Sequence, residues 1–257
     1  MGDKTAIEWT EATWNPITGC TKVSPGCAYC YAEKLTLRYG GAAFISGTSV
    51  VQPRPERLTW PLKWRTPRLI FTSSMTDLFH EDVGFEFIAD VVSTIEQASW
   101  HTFQILTKRP ERMKQFAEQY GRFPVNAWLG TSVENQHWAE QRLPILASIP
   151  AQVRFASCEP LLGPLDLSPW LKSGLSWVIV GGESGGPLSR RLVEKGSEGW
   201  IPKADALSWS RSIREQCRSQ GKKFFFKQWG GPRPTSGGRV LDGEVWDQLP
   251  ERSGVCK

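Results

Sequence analysis

The chain has 257 residues, 40% of them apolar and 22% charged, with a formal net charge of +5 at pH 7. It reads as a soluble globular protein that can bury a substantial core in one large domain or two small ones. No run approaches the ~18 apolar residues of a membrane span, and the polar start MGDKTAIEWTE lacks a signal peptide's apolar segment, so the expectation is a cytoplasmic protein with no membrane partner.

A first strand is expected near ATWNPIT (12–18), then a cysteine-rich loop and a helix after Cys30. Residues 40–68, with RPERLTWPLKWRTPR, read as an irregular excursion. From Leu69 onward short apolar runs alternate with amphipathic stretches, the pattern of strands joined by crossover helices. Strands are expected at LIFTSS (69–74), TFQILT (102–107), AWLGTSV (127–133), VRFASC (153–158), WVIVGG (177–182) and KFFFKQW (223–229). Helices fall at 85–98, from Pro110 through ERMKQFAEQY, near 136–148 and near 204–219. The fold class is therefore α/β, a (β/α) barrel or partial barrel of about six to seven parallel strands with right-handed crossovers. It occupies 1–230 as one domain, and 231–257 forms a C-terminal extension with a hairpin in GRVLDGEVWDQLP whose turn is DG.

In such a barrel the chemistry sits where strands end at their C-terminal side. Those ends carry, in order, the cysteine loop, SSMTD with Ser73, Ser74 and Asp77, TKRP with Lys108 and Arg109, and SVEN with Glu134. SCEP with Cys158 and Glu159, GGES with Gly181, Gly182 and Glu183, and KQWG with Lys227 and Gln228 follow. Three glutamates at corresponding places are hard to explain as helix caps, which favour Ser, Thr, Asp or Asn. Arg190 and Arg191, in the excursion 184–204, are candidates for a phosphate clamp, although solvated loop cations are commoner. Of the 13 tryptophans, Trp9, Trp14, Trp60, Trp64, Trp128 and Trp229 are candidates for stacking on a base or planar ligand, against the commoner role of core residues.

Half of the six cysteines, Cys20, Cys27 and Cys30, lie in one short loop, GCTKVSPGCAYCYAEK (19–34). The close pair has the separation of zinc and iron–sulfur ligands, and a long chain with clustered cysteines favours metal or redox chemistry over disulfides. A closed zinc site needs a fourth ligand, for which His80 is the candidate. Without it the loop supplies three ligands and leaves one position open, as in clusters that hold S-adenosylmethionine. A radical enzyme, a zinc site and an unliganded thiol cluster all remain open on the residues alone.

The stretches WNPITGCTKVSPGCAYCYAEK, LTKRPERM, SVENQ, SCEPLLGP, VIVGGESG and FFFKQWG together resemble the three-cysteine-motif phage protein family over roughly residues 6–250. That family is described as radical-SAM-like, so the resemblance implies a partial barrel whose cluster loop (19–31) follows the first strand. It further implies a 4Fe-4S cluster on Cys20, Cys27 and Cys30, S-adenosylmethionine as cofactor, and an electron donor such as flavodoxin or ferredoxin. Tyr29 and the final C-x2-C match the superfamily pattern, whereas the first gap is six residues instead of three. SSM (73–75) stands where the superfamily's Gly-Gly-Glu normally falls, and GGES follows a later strand.

On that resemblance Tyr29, Ser73, Ser74, Asp77, Glu134, Gly181, Gly182 and Glu183 would contact the cofactor, and Lys108, Arg109 and Glu159 the substrate. A looser resemblance to the spore photoproduct lyase group offers Cys158 as a hydrogen-atom donor inside the barrel, against the commoner role of an inert buried thiol, and with the donor role a nucleic acid or nucleotide becomes the expected substrate. The rival functions are a zinc-dependent barrel hydrolase with Glu134, Glu159 or Glu183 as base, and a non-enzymatic iron–sulfur protein that binds nucleic acid.

Overall fold

A computed structural model describes residues 4–38 and 51–252. Among the described residues seven strands form one sheet: β1 (Ala12–Trp14), β2 (Leu69–Thr72), β3 (Thr102–Thr107), β4 (Ala127–Ser132), β5 (Arg154–Cys158), β6 (Leu175–Gly181) and β7 (Lys223–Gln228). Each pairs in parallel with its predecessor, and β1 and β7 are opposite edges, so the sheet is an open half-barrel. The longer helices are α1 (Tyr31–Arg38), α2 (Phe85–Gln97), α3 (Pro110–Tyr120), α4 (Gln136–Ser148) and α5 (Ala204–Ser219).

Period-two alternation assigns each strand residue to a face. Ala12, Trp14, Ile70, Phe103, Ile105, Leu129, Ala156, Cys158, Val178, Val180, Phe224 and Phe226 join the apolar residues of the helices in one core. The opposite face gathers Leu69, Phe71, Trp128, Phe155, Trp177, Ile179 and Phe225 around Trp9 in a second core. The Trp9 ring lies 4.5 Å from Phe71 on β2 and 6.1 Å from Trp177 on β6. In a flat sheet those strands stand about 19 Å apart, so the sheet curls round Trp9 as a plug. Trp9, Trp14, Trp128 and Trp229 are all buried in these cores, which removes them as stacking platforms.

The elements follow their local chemistry. Asn135 caps α4 by accepting from the Trp138 N–H at 3.2 Å, and Pro110 opens α3, where a missing N–H costs nothing. The first strand is shorter than expected because Asn15 and Pro16 end it. Ile17–Thr18 instead pairs antiparallel with Gln52–Pro53. Of the expected excursion 40–68, residues 40–50 lie outside the described residues, and the rest includes a one-turn helix at Trp60–Lys63. The 184–204 excursion contains an unanticipated ribbon of Val193–Lys195 against Trp200–Pro202.

The tail forms the anticipated hairpin, Val240–Leu241 against Glu244–Val245, with Asp242 and Gly243 both at positive φ as a type I′ turn requires. Beyond it, Phe226 donates to the Trp246 carbonyl at 2.9 Å and Phe224 to the Gln248 side chain at 3.1 Å. The tail thus covers the free edge of β7 and removes an unpaired row of backbone groups. No helix among the described residues is long and apolar enough to cross a membrane.

Candidate functional site at the C-terminal strand ends

The cysteine loop leaves β1 through the short Ile17–Thr18 strand and Gly19, at φ +86°, then crosses the mouth of the half-barrel and runs into α1. Cys20, Cys27 and Cys30 are all free thiols and all partly exposed. Burial, with the Asp77 carboxylate nearby, pushes the Cys20 thiol up to about 12, so it is protonated at neutral pH. Cys27 lies in a single 3-10 turn over Pro25–Cys27, where its N–H donates to the Ser24 carbonyl at 2.9 Å.

Groups from four strand ends grip this loop. Asp77, beyond β2, accepts from Phe79 N and Thr107 Oγ1 on one oxygen and from Lys108 N and Arg109 Nη1 on the other. Arg109, so oriented, donates through Nε to Glu81 at 3.0 Å and through Nη2 to Thr21 Oγ1 at 2.7 Å. The Asp82 N–H donates to His80 Nδ1, which leaves Nε2 to donate to the same Thr21 hydroxyl at 2.7 Å. Both His80 nitrogens are therefore engaged, and the imidazole is not aimed at the thiols as a fourth metal ligand.

Glu134, beyond β4, is fully buried. One of its oxygens accepts from Ser24 Oγ and the other from Arg142 Nη1 at 3.1 Å. A Cβ on Gly26 would stand 2.8 Å from Glu134 Cδ, so the loop backbone is seated on this carboxylate. Glu183, beyond β6, takes a two-point contact from Arg190 at 2.8 and 2.9 Å. Arg190 also donates to the Pro25 carbonyl at 2.9 Å and lies over the Tyr29 ring at 5.3 Å. The side chains expected to touch cofactor at Asp77, Glu134 and Glu183 are thus turned, directly or through an arginine, onto the cysteine loop.

The turn after β2 is built differently. Ser73 has φ +64°, and its N–H donates to the Trp14 carbonyl at 2.7 Å. Asn15 accepts from Met75 N at 2.9 Å and meets Ser74 Oγ, while the Tyr31 hydroxyl donates to the Ser74 carbonyl. The buried hydroxyls of Ser73 and of Ser132, at the end of β4, have no protein partner. An unpaired buried hydroxyl costs about 1–3 kcal/mol, which marks both as groups that a ligand would satisfy.

Across the mouth Lys227 donates to Glu159, both partly exposed, and Lys108 is partly exposed at the end of β3. The two glycines of GGES answer to packing. A Cβ on Gly182 would lie 2.7 Å from the Trp229 carbonyl carbon, and one on Gly181 would lie 3.2 Å from Glu159.

Cys158 departs from the expected place. Alternation along β5 turns it to the helix side, where it is fully buried in the core that also holds Cys217, rather than toward the barrel interior. Burial pushes its thiol well up, and the placement suits an inert core thiol. The sequence reading missed Ser24, Gly26 and Arg142. Arg142 occupies the apolar stripe of α4 beside Ala139, Leu143 and Leu146, and a cation at a core position was the available signal.

Fold and site together define an open (β/α) half-barrel with three free thiols on the loop after its first strand. The chain belongs to the family described as "Protein of unknown function (DUF5131)", which it matches over residues 4–250. No curated protein sequence matches it. Among solved structures it is similar to a cysteine-to-serine mutant of spore photoproduct lyase, with a TM-score of 0.50 at 10% identity over 82% of this chain and 73% of that one. A cysteine-to-alanine mutant of that lyase, bound to a dinucleoside spore photoproduct, also gives 0.50 at 10% identity, over 79% of this chain and 71% of the other. At such identity the likeness is one of fold.

Among the described residues no three His, Cys, Asp or Glu side chains are gathered into a ready metal-holding group. The donor set nevertheless fits a thiophilic centre by its chemistry. Three free thiols share one loop, and among the described residues His80 and Glu134 are engaged elsewhere rather than as a fourth ligand.

Proposed function

We propose that this protein is a radical S-adenosylmethionine enzyme whose Cys20, Cys27 and Cys30 hold a 4Fe-4S cluster and whose substrate is a nucleic acid or nucleotide. The observation that carries the reading is the position of three free, partly exposed thiols on the loop after the first strand of a parallel half-barrel. When bound, the cluster supplies the electron that cleaves S-adenosylmethionine and so begins hydrogen abstraction.

The chain's own residues divide the remaining work. Ser73 and Ser132 offer unpaired hydroxyls, with Ser74 beside Ser73 on the turn and Tyr29 on the cysteine loop as further cofactor contacts. Asp77, Glu134 and Glu183 serve the cofactor through the loop they help to hold. Gly181 and Gly182 keep the mouth open by letting the ends of β5, β6 and β7 approach. Lys108 and the Glu159–Lys227 pair face the substrate, and Glu159 takes or returns a proton with Lys227 as its partner.

A cavity of roughly 170 Å³ has Arg190, Arg191 and Lys203 in its lining, beside Asp205, Leu192 and Trp209, and its three cations outnumber the one carboxylate as a phosphate group would need. The similar lyase that carries a dinucleoside adds weight to a nucleotide substrate. The proposal includes an electron donor such as a flavodoxin or ferredoxin.

Anaerobic reconstitution tests this, with iron, sulfide and zinc counted and 5′-deoxyadenosine measured after dithionite and S-adenosylmethionine are added. About four irons per chain, with deoxyadenosine formation lost in Cys27→Ala, are expected. Stoichiometric zinc without a cluster and without cleavage would overturn the reading and favour a hydrolase.

A further inference from the structure

We infer that the six-residue span between Cys20 and Cys27 is held in its working shape by the half-barrel before any metal arrives, with Glu134 as the positioning residue and Arg109 and Arg190 as flanking braces. The purpose given to the loop rests on the proposed function, whereas the bracing itself does not.

The span is gripped at four successive points. Thr21 receives Arg109 and His80 at 2.7 Å each. Ser24 donates to Glu134, the Pro25 carbonyl accepts from Arg190 at 2.9 Å, and Gly26 sits on the Glu134 carboxyl group. These groups come from the ends of β2, β3 and β4 and from the loop after β6, so the grip is long-range rather than local to the loop.

Glu134 is itself buried and held. Arg142 holds its second oxygen, donates to the Ser132 carbonyl at 2.9 Å and lies 4.1 Å from the Trp138 ring centroid. Gly26 is not in the left-handed region, so its backbone accepts other residues, and the three atoms nearest a Cβ there all belong to Glu134. A gap this long, if free, would have to be ordered each time a metal bound, and the braces remove that cost in advance. Loading then needs side-chain adjustment by the cysteines and no refolding of the loop.

Gly26→Ala is the direct test, because the atoms its methyl group meets first belong to Glu134. In metal-free protein the Cys27 and Ala28 amides, which donate to the Ser24 and Pro25 carbonyls inside the gripped turn, should be protected from hydrogen exchange. In Gly26→Ala they should exchange about ten-fold faster while strand amides are unchanged, and iron uptake on reconstitution should fall by a similar factor.

Ser24→Ala, which removes a grip without adding bulk, should shift both readouts in the same direction and covers the case in which Gly26→Ala fails to fold. Cys27→Ala should lose iron and keep the protection. Unprotected amides in the metal-free wild type, or exchange and iron uptake unaltered in both loop variants, would overturn the inference. Wild-type protein that takes up no iron while the exchange results stand would refute the radical reading and leave the bracing supported.

Discussion

Arg109 reaches the Thr21 hydroxyl at 2.7 Å, next to Cys20, while the same guanidinium meets Asp77 at 3.2 Å and Glu81 at 3.0 Å. One side chain therefore ties the end of β3 to the turn after β2 and to the start of the cysteine loop. Arg109→Lys keeps the charge and cannot span three partners. It should lower stability by about 1–3 kcal/mol in urea denaturation, with an unchanged m-value, because buried Asp77 loses a donor.

The Glu134–Arg142 pair is almost completely withdrawn from water, with 0% and 1% exposure. Breaking it from one side leaves a buried charge. Arg142→Met should cost about 3–5 kcal/mol, and Glu134→Gln combined with it should cost clearly less than the sum of the two single changes. Chemical denaturation of the four proteins in one double-mutant cycle measures this.

Gly130 on β4 faces the Phe155 ring, and a Cβ there would lie 2.6 Å from Phe155 Cε1. Gly130→Ala should destabilise by about 1–3 kcal/mol through overpacking of the inner face, read as a lower melting temperature. Gly163→Ala, where nothing lies within 4 Å, is the control and should leave the melting temperature unchanged.

Two buried histidines make stability pH-dependent. His80 accepts from Asp82 N, and His101 accepts from Arg68 N at 3.1 Å while donating to the Pro61 carbonyl, so both are neutral in the fold. Burial lowers the affinity of each for a proton, with Arg109 adding to the effect at His80. The unfolded chain binds those protons first, starting near pH 6.5. Stability should therefore be full above about pH 7 and fall as pH drops through 6.5 toward the lowered folded values, by at most about 1.4 kcal/mol per pH unit for each histidine. Urea midpoints at pH 7.5 and 5.5 should show the fall, and His101→Gln should reduce it.

The cavity that Arg190, Arg191 and Lys203 help to line predicts a phosphate dependence. Arg191 is held by the Gly186 carbonyl at 2.8 Å and Lys203 by the Leu188 carbonyl at 2.9 Å, which leaves each further donors. Arg191→Ala with Lys203→Ala should weaken binding of an oligonucleotide about ten-fold at low salt and flatten its salt dependence. Equal binding by wild type and double variant, measured by fluorescence anisotropy, would remove the cavity from the substrate path.

The order and ends of most elements were legible in the sequence because each depends on neighbours along the chain. The TFQILT strand and the 204–219 helix fall where alternation and amphipathicity place them, and DG specifies its hairpin turn. That order also placed Asp77, Glu134, Glu159 and Glu183 at strand ends on one side of the sheet. Their partners were not legible, because an ion pair is chosen by what lies across space. Glu134 finds Arg142 from a helix face and Ser24 across 110 residues, and Glu183 reaches Tyr29 only through Arg190. Cys158 turned on a single step of strand register, which sends alternate residues to opposite faces, and only the curl of the sheet around Trp9 decided which face became the interior. The sequence by itself determined the strands, the helices and the three thiols in one loop; the tertiary structure decided which charges hold that loop, because burial and distance, not spacing, set the strength of those contacts.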